Sequence, residues 1–175
     1  MRGPLGTTGT GRALAVGTYA GVLLALLAAV AWATGRPFVF PSLGPSAYVL
    51  ATDGEGELGA RRVIGGHAVG VVAGLASYHL LASGLSLVAL PPAHSSDALR
   101  LAASGTLSVA LTAAGMVATD TDHAPAAATT LIVALGLLAG PVDGATILAA
   151  VTALYLADLA ANHGPADPGW STRDS

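Results

Sequence analysis

The sequence predicts an all-α protein that crosses a membrane several times. Three observations predict it. Of 175 residues, 53% are hydrophobic and only 10% are charged, against about 25% charged in ordinary soluble domains. Mean hydropathy is +0.68. Uncharged apolar runs near the ~20 residues that a spanning helix needs recur along the chain, separated by polar turns. The predicted architecture is a polytopic helix bundle with four long spans and two short, Pro/Gly-started helical segments. The 23 glycines, in an alanine-rich chain, suit the close helix approach used in lipid.

Composition also excludes several functions. No cysteine is present, which removes disulfides, thiol catalysis, Cys-ligated zinc and iron–sulfur clusters. The seven basic residues are all arginine. No basic cluster exceeds Arg61-Arg62, so the electrostatic footprint of nucleic-acid binding is missing. No P-loop, HExxH motif or nucleophile elbow is evident. The chain is therefore expected to be no enzyme and to need no cofactor. The expected partners are a lipid bilayer and a small inorganic anion.

Residues 1–11 read as a disordered tail, residues 12–161 as one transmembrane domain, and residues 162–175 as a polar tail. The first span covers 14–33 and is longer than the apolar core of a cleaved leader. Trp32 and Arg36 suit the interface at its far end. Residues 37–51 are apolar but broken by Pro41, Gly44 and Pro45. A helix there is expected to start only near Pro45, too short to span comfortably. A polar loop, 52–62, leads to a second span at 63–81. Gly66, Gly70 and Gly74 repeat every four residues there and form a small-residue face, one that a second copy of the chain could use. After a loop at 82–98, the third span runs 99–118. The second short segment begins at Pro125, where a missing N–H is harmless, and runs to 139. Asp122 or Thr121 is placed to cap it. The last span covers 145–160.

Long, short, long is thus followed by long, short, long. This reads as an internal 3+3 repeat, with one unit at about 12–83 and the other at about 99–161. Short, Pro/Gly-interrupted segments at matching places in two halves point to a transporter's binding site. If both short segments cross, the halves are inverted. Arg2, Arg12, Arg61, Arg62 and Arg173 then share one side, with Arg36 and Arg100 opposite. If both re-enter, that bias nearly vanishes, so the positive-inside rule favours crossing.

Three pieces of the chain resemble the HPP family of integral membrane proteins. Ser42-Leu43-Gly44-Pro45-Ser46-Ala47 resembles its S-x-G-small-S/T-A segment. Arg62-Val63-Ile64-Gly65-Gly66-His67 resembles its R-N-x-x-G-G-H span start. His123-Ala124-Pro125-Ala126-Ala127-Ala128-Thr129 resembles its signature H-P-P-A-G-A-T, with Ala124 in place of the first proline and Ala127 in place of the glycine. The resemblance implies a multi-pass protein of the cell membrane and a transport function. Some plant-chloroplast and cyanobacterial members are linked to nitrite, so a small monovalent anion is the implied substrate class.

The candidate substrate-binding residues are Ser42, Gly44, Ser46, Gly66, His67, His123, Pro125 and Thr129. Hydroxyls and bare N–H groups at two facing helix starts can hold an oxyanion without a full counter-charge, so release stays feasible. His123 beside Asp120 and Asp122 is a candidate for attracting an anion or carrying a coupled proton, or else a plain interfacial cap. His67 lies inside a span, where a histidine faces protein or water. Two other functions compete with a secondary transporter or channel-like permease. One is a structural or accessory membrane subunit. The other is a membrane enzyme with a metal on His67, His123 and a neighbouring carboxylate.

Overall fold

A computed structural model describes residues 9–52 and 58–162. The expected tails, apart from 9–11 and Asn162, and residues 53–57 of the first polar loop, with Asp53, Glu55 and Glu57, lie outside those residues. Six helices follow in chain order. They are α1 (Gly9–Thr34), α2 (Val39–Thr52), α3 (Ala60–Ser77), α4 (Ser96–Thr119), α5 (Ala126–Ala134) and α6 (Pro141–Asn162). A π-helical turn, Tyr78–Ala82, prolongs α3. Four helices are long and apolar enough to span a bilayer: α1, α3 with its extension, α4 and α6. The described residues form a helical membrane bundle of four long spans and two short helices.

Most expected helices sit where the apolar runs put them, with earlier starts. α1 begins at Gly9, so residues 9–11 of the expected tail are helical. α4 begins at Ser96 because Ser95 caps it, its Oγ accepting from the Ala98 N–H. α6 begins at Pro141, four residues early. Asp143 is there the third residue of the helix, and it accepts from the Gly140 N–H through Oδ2 at 3.0 Å.

The short helices differ more from expectation. α2 starts at Val39 rather than near Pro45, and carries Pro45 inside it. Pro41 falls in the first turn, where its missing N–H costs nothing. Pro45 does forgo one hydrogen bond, to the Pro41 carbonyl, and Gly44 before it carries no Cβ to clash with the ring. Both proline rings are exposed, while Ser42 and Ser46, each the next residue along, are buried. α5 is shorter than expected and stops at Ala134. Gly136 turns the chain there with φ +76°, against the Leu85 carbonyl. The Leu87 N–H then ties to the Leu135 carbonyl at 3.1 Å.

The two halves pack alike. α1 lies on α2, and α4 lies on α5. α3 packs on α5 and α4, while α6 packs on α2 and α1. All of these but α1 on α2 and α4 on α5 join the two halves, as do α3 with α6 and α2 with α5. The apolar core is shared between them: Leu23 and Leu27 of α1, Val39, Leu43 and Leu50 of α2, and Ile147, Val151 and Leu154 of α6. Most of α1 faces outward, with Leu14, Val22 and Trp32 exposed as a lipid-facing helix requires.

The glycine face of α3 is used within the chain. A Cβ on Gly70 would sit 2.9 Å from the Ala126 carbonyl oxygen, and one on Gly74 would sit 2.9 Å from that of Thr130. One on Gly66 would meet His123 Cβ at 2.8 Å. The Gly66/Gly70/Gly74 face offered above to a second copy is thus filled by α5 and the residues leading into it. The reason is that α5, rich in alanine and threonine, is the nearest helix narrow enough to come that close.

Candidate functional site

α2, α3, α5 and the chain just before α5 converge on a run of five polar side chains. α2 offers Ser42 and Ser46 one turn apart on one face. α3 offers His67, directly after the glycine that lets His123 approach. α5 offers Thr129 from its first turn. Four of the five are fully buried, and His123 is 2% exposed.

Their atoms form one unbroken hydrogen-bonded chain. His123 Nε2 lies 3.0 Å from Ser46 Oγ. Ser46 Oγ lies 2.7 Å from His67 Nε2. His67 Nδ1 lies 2.7 Å from Thr129 Oγ1. Thr129 Oγ1 lies 2.8 Å from Ser42 Oγ and 3.3 Å from the Ser42 carbonyl oxygen. The two imidazoles stand edge to face, centroids 5.2 Å apart, with the Ser46 oxygen bonded to both. Buried polar atoms must be paired, and here each pairs with a partner from another segment.

No carboxylate takes part. Asp120 caps α4 in the left-handed region and pairs with Arg61 at 3.4 Å. Arg61 also donates to the Thr119 carbonyl at 2.7 Å. Asp122 is exposed. The His123 ring is therefore oriented by Ser46 rather than by the neighbouring acids. Among the described residues, no group of three or more His, Asp or Glu is placed to hold a metal ion.

Two details of the expected site change. The N–H groups at the helix starts are not bare. Ala126, Ala127 and Ala128 donate to the His123, Ala124 and Pro125 carbonyls at 2.9, 3.1 and 3.0 Å. Val39, Phe40 and Ser42 donate likewise to Arg36, Pro37 and Phe38. These tight turns, rather than Asp122 or Thr121, cap α5, and Pro125 precedes it without a side-chain cap. Moreover, Ser42 and Ser46 lie inside α2, because that helix begins at Val39. The site is built from side chains, not from backbone N–H groups. Gly44 points elsewhere: a Cβ added there would meet nothing within 4 Å.

The chain from residue 7 to residue 165 matches the family model described as HPP, transmembrane region. That stretch holds every described helix and all five polar residues. The chain belongs to the HPP family. No curated protein and no solved structure was found to match. In this HPP protein the three segments with family-like motifs are thus the three that meet: Ser42 and Ser46 from the first, Gly66 and His67 from the second, His123 and Thr129 from the third.

Sequence reasoning missed a second polar column. Ser104, Ser108 and Thr112 are buried along one face of α4. Ser104 donates to the Ala134 carbonyl at 2.8 Å, and Thr130 donates to that of Ser108 at 3.5 Å. Among the described residues the Thr112 hydroxyl has no partner, nor does that of Ser77 on α3. Their four-residue spacing in α4 was the available signal.

Proposed function

We propose that this HPP protein is a permease for a small monovalent anion of the nitrite type, working by secondary transport or as a channel-like path. The observation that carries the reading is the single oxygen, Ser46 Oγ, held 2.7 and 3.0 Å from two imidazole Nε2 atoms. An oxygen of a bound anion could take that place once Ser46 turns aside. Such an oxygen has no proton to give, so it selects the tautomers in which both rings donate from Nε2. Thr129 and Ser42 supply further hydroxyl donors nearby. Among the described residues no carboxylate bonds to these five side chains, so a cation finds no counter-charge there. Neutral donors also hold an anion loosely enough to let it go. The buried state corresponds to a closed path, which opens when α2 and α5 part.

Flux measured in proteoliposomes tests this. Nitrite, nitrate, formate and chloride are offered in turn, each against protein-free vesicles. At least one is expected to enter faster with protein, and His123→Ala to lose that gain while still purifying as a monodisperse species. Uptake equal to protein-free vesicles for all four rejects the reading.

A further inference from the structure

We propose that the buried chain is also a proton wire, and that the transported anion moves together with a proton. The proposal rests on the permease reading and adds the coupled ion. Its basis is that every link from His123 to Ser42 can be satisfied in two opposite directions. In one, His123 Nε2–H donates to Ser46, Ser46 to His67 Nε2, His67 Nδ1–H to Thr129, and Thr129 to Ser42. In the other, Ser42 donates to Thr129, Thr129 to His67 Nδ1, His67 Nε2–H to Ser46, and Ser46 to His123 Nε2. Both leave the two rings neutral and all four links made.

One proton converts the first direction into the second. It binds His123 Nδ1. The Nε2 proton of His123 passes to Ser46 Oγ as the Ser46 proton passes to His67 Nε2, so His67 becomes the imidazolium. His67 then gives its Nδ1 proton to Thr129 as Thr129 gives its own to Ser42 Oγ. The original Ser42 proton leaves. One proton enters, one leaves, and no group keeps a charge.

The wire has a direction in the bundle. His123 lies next to exposed Asp122, on the face where Arg61 meets Asp120. Ser42 lies one turn inside the opposite end of α2, its N–H on the Phe38 carbonyl. Phe38 lines a cleft of about 510 Å³ with Thr34, Arg36 and Asp143; Ser42 itself is fully buried, so its proton reaches water there only in the open path, when α2 and α5 part. Among the described residues, no other charged side chain bonds to the wire. α4 and α5 present no ionisable side chain to it, α2 carries only the exposed Tyr48, and α3 places Arg61 and Arg62 at its outer end. On α6, Asp143 is paired with Arg36 and Asp158 with Tyr19.

Coupling arises because both ions need Ser46. The wire cannot carry a second proton in the same direction until its hydroxyls and rings turn back. An anion displacing the Ser46 hydroxyl from the two Nε2 atoms breaks the chain and frees them to turn.

The test uses the full chain in proteoliposomes containing a trapped pH dye, with sodium nitrite as the probe and protein-free vesicles subtracted. Inward nitrite flux is expected to acidify the lumen, and an imposed inward proton gradient to drive nitrite accumulation. Thr129→Val, which cuts the wire without changing shape, is expected to abolish nitrite-driven acidification, and Thr129→Ser to restore it. Nitrite uptake by the unaltered protein with no proton movement overturns the wire but leaves the permease. Acidification that survives in Thr129→Val also overturns it. No uptake at all removes both. Should Thr129→Val fail to fold, the measurement on the unaltered protein still decides.

Discussion

Thr129 Oγ1 touches a ring nitrogen of α3 and both a hydroxyl and a carbonyl of α2. A hydrogen bond inside a membrane bundle contributes only about 0.6 kcal/mol on average. Leaving buried partners unpaired costs more, about 1–3 kcal/mol. Thr129→Val strands His67 Nδ1 and removes a partner of Ser42 Oγ while filling the same space. It is expected to destabilise the protein by about 1–3 kcal/mol, read from thermal unfolding in detergent. Thr129→Ser should recover most of that. Thr106→Ala is the control: its exposed hydroxyl bonds only the Ala102 carbonyl of its own helix. A change within about 0.5 kcal/mol is expected there. Equal losses for Thr129→Val and Thr106→Ala would mean that the buried links contribute nothing.

At the scale of elements, the α3–α5 contact positions the site. Gly70 puts α3 backbone against the Ala126 carbonyl, one turn from Thr129. Neither backbone can yield as a flexible side chain would. Gly70→Ala is expected to cost about 1–3 kcal/mol through overpacking. It also pushes Thr129 away from His67, so transport should fall with stability. In α1, Gly17 and Gly21 have open space where a Cβ would go. Gly21→Ala is expected to stabilise by about 0.5–1 kcal/mol, since alanine restricts the unfolded backbone and favours the helix. Opposite signs for the two substitutions in one melting assay check the argument. The glycine spacing was legible in the sequence, but its partner was not. A four-residue repeat reports a face, and only the fold shows that α5 fills it. In the same way, Ser42, Ser46, His67, His123 and Thr129 could be picked out by residue type, while their order in one chain could not. The misplaced start of α2 has a plain cause. Two prolines four residues apart look like a helix stop, yet one falls in the first turn and the other turns its ring outward.

For the whole molecule, the contacts between helix ends fix which ends share a face. Arg36, before α2, pairs with Asp143 of α6 at 2.6 Å. Arg100, early in α4, donates to the Leu81 carbonyl at the end of the α3 extension. On the other face, Arg61 meets the end of α4, and Gly9 and Arg12 line a groove with Thr52. Both short helices therefore run from one face toward the other, antiparallel to their neighbours, as an inverted repeat requires. α2, with 14 residues, covers about 21 Å of a hydrocarbon layer about 30 Å thick. α5 is shorter still, and residues 135–140 complete its crossing. With Arg12, Arg61 and Arg62 on one face and Arg36 and Arg100 on the other, the arginine-rich face is expected to be cytoplasmic. The chain has no cysteine, so single cysteines can report the side directly. In intact cells, a membrane-impermeant maleimide should label Thr34→Cys, Ala93→Cys and Val142→Cys. It should reach Gly59→Cys and Ala124→Cys only after permeabilisation. The pair Thr34 and Gly59 brackets α2, and the pair Ala124 and Val142 brackets α5. If either pair labels from a single side, that short helix re-enters instead of crossing. The two halves would then no longer be inverted, and the wire from His123 to Ser42 would not lead from one side of the membrane toward the other.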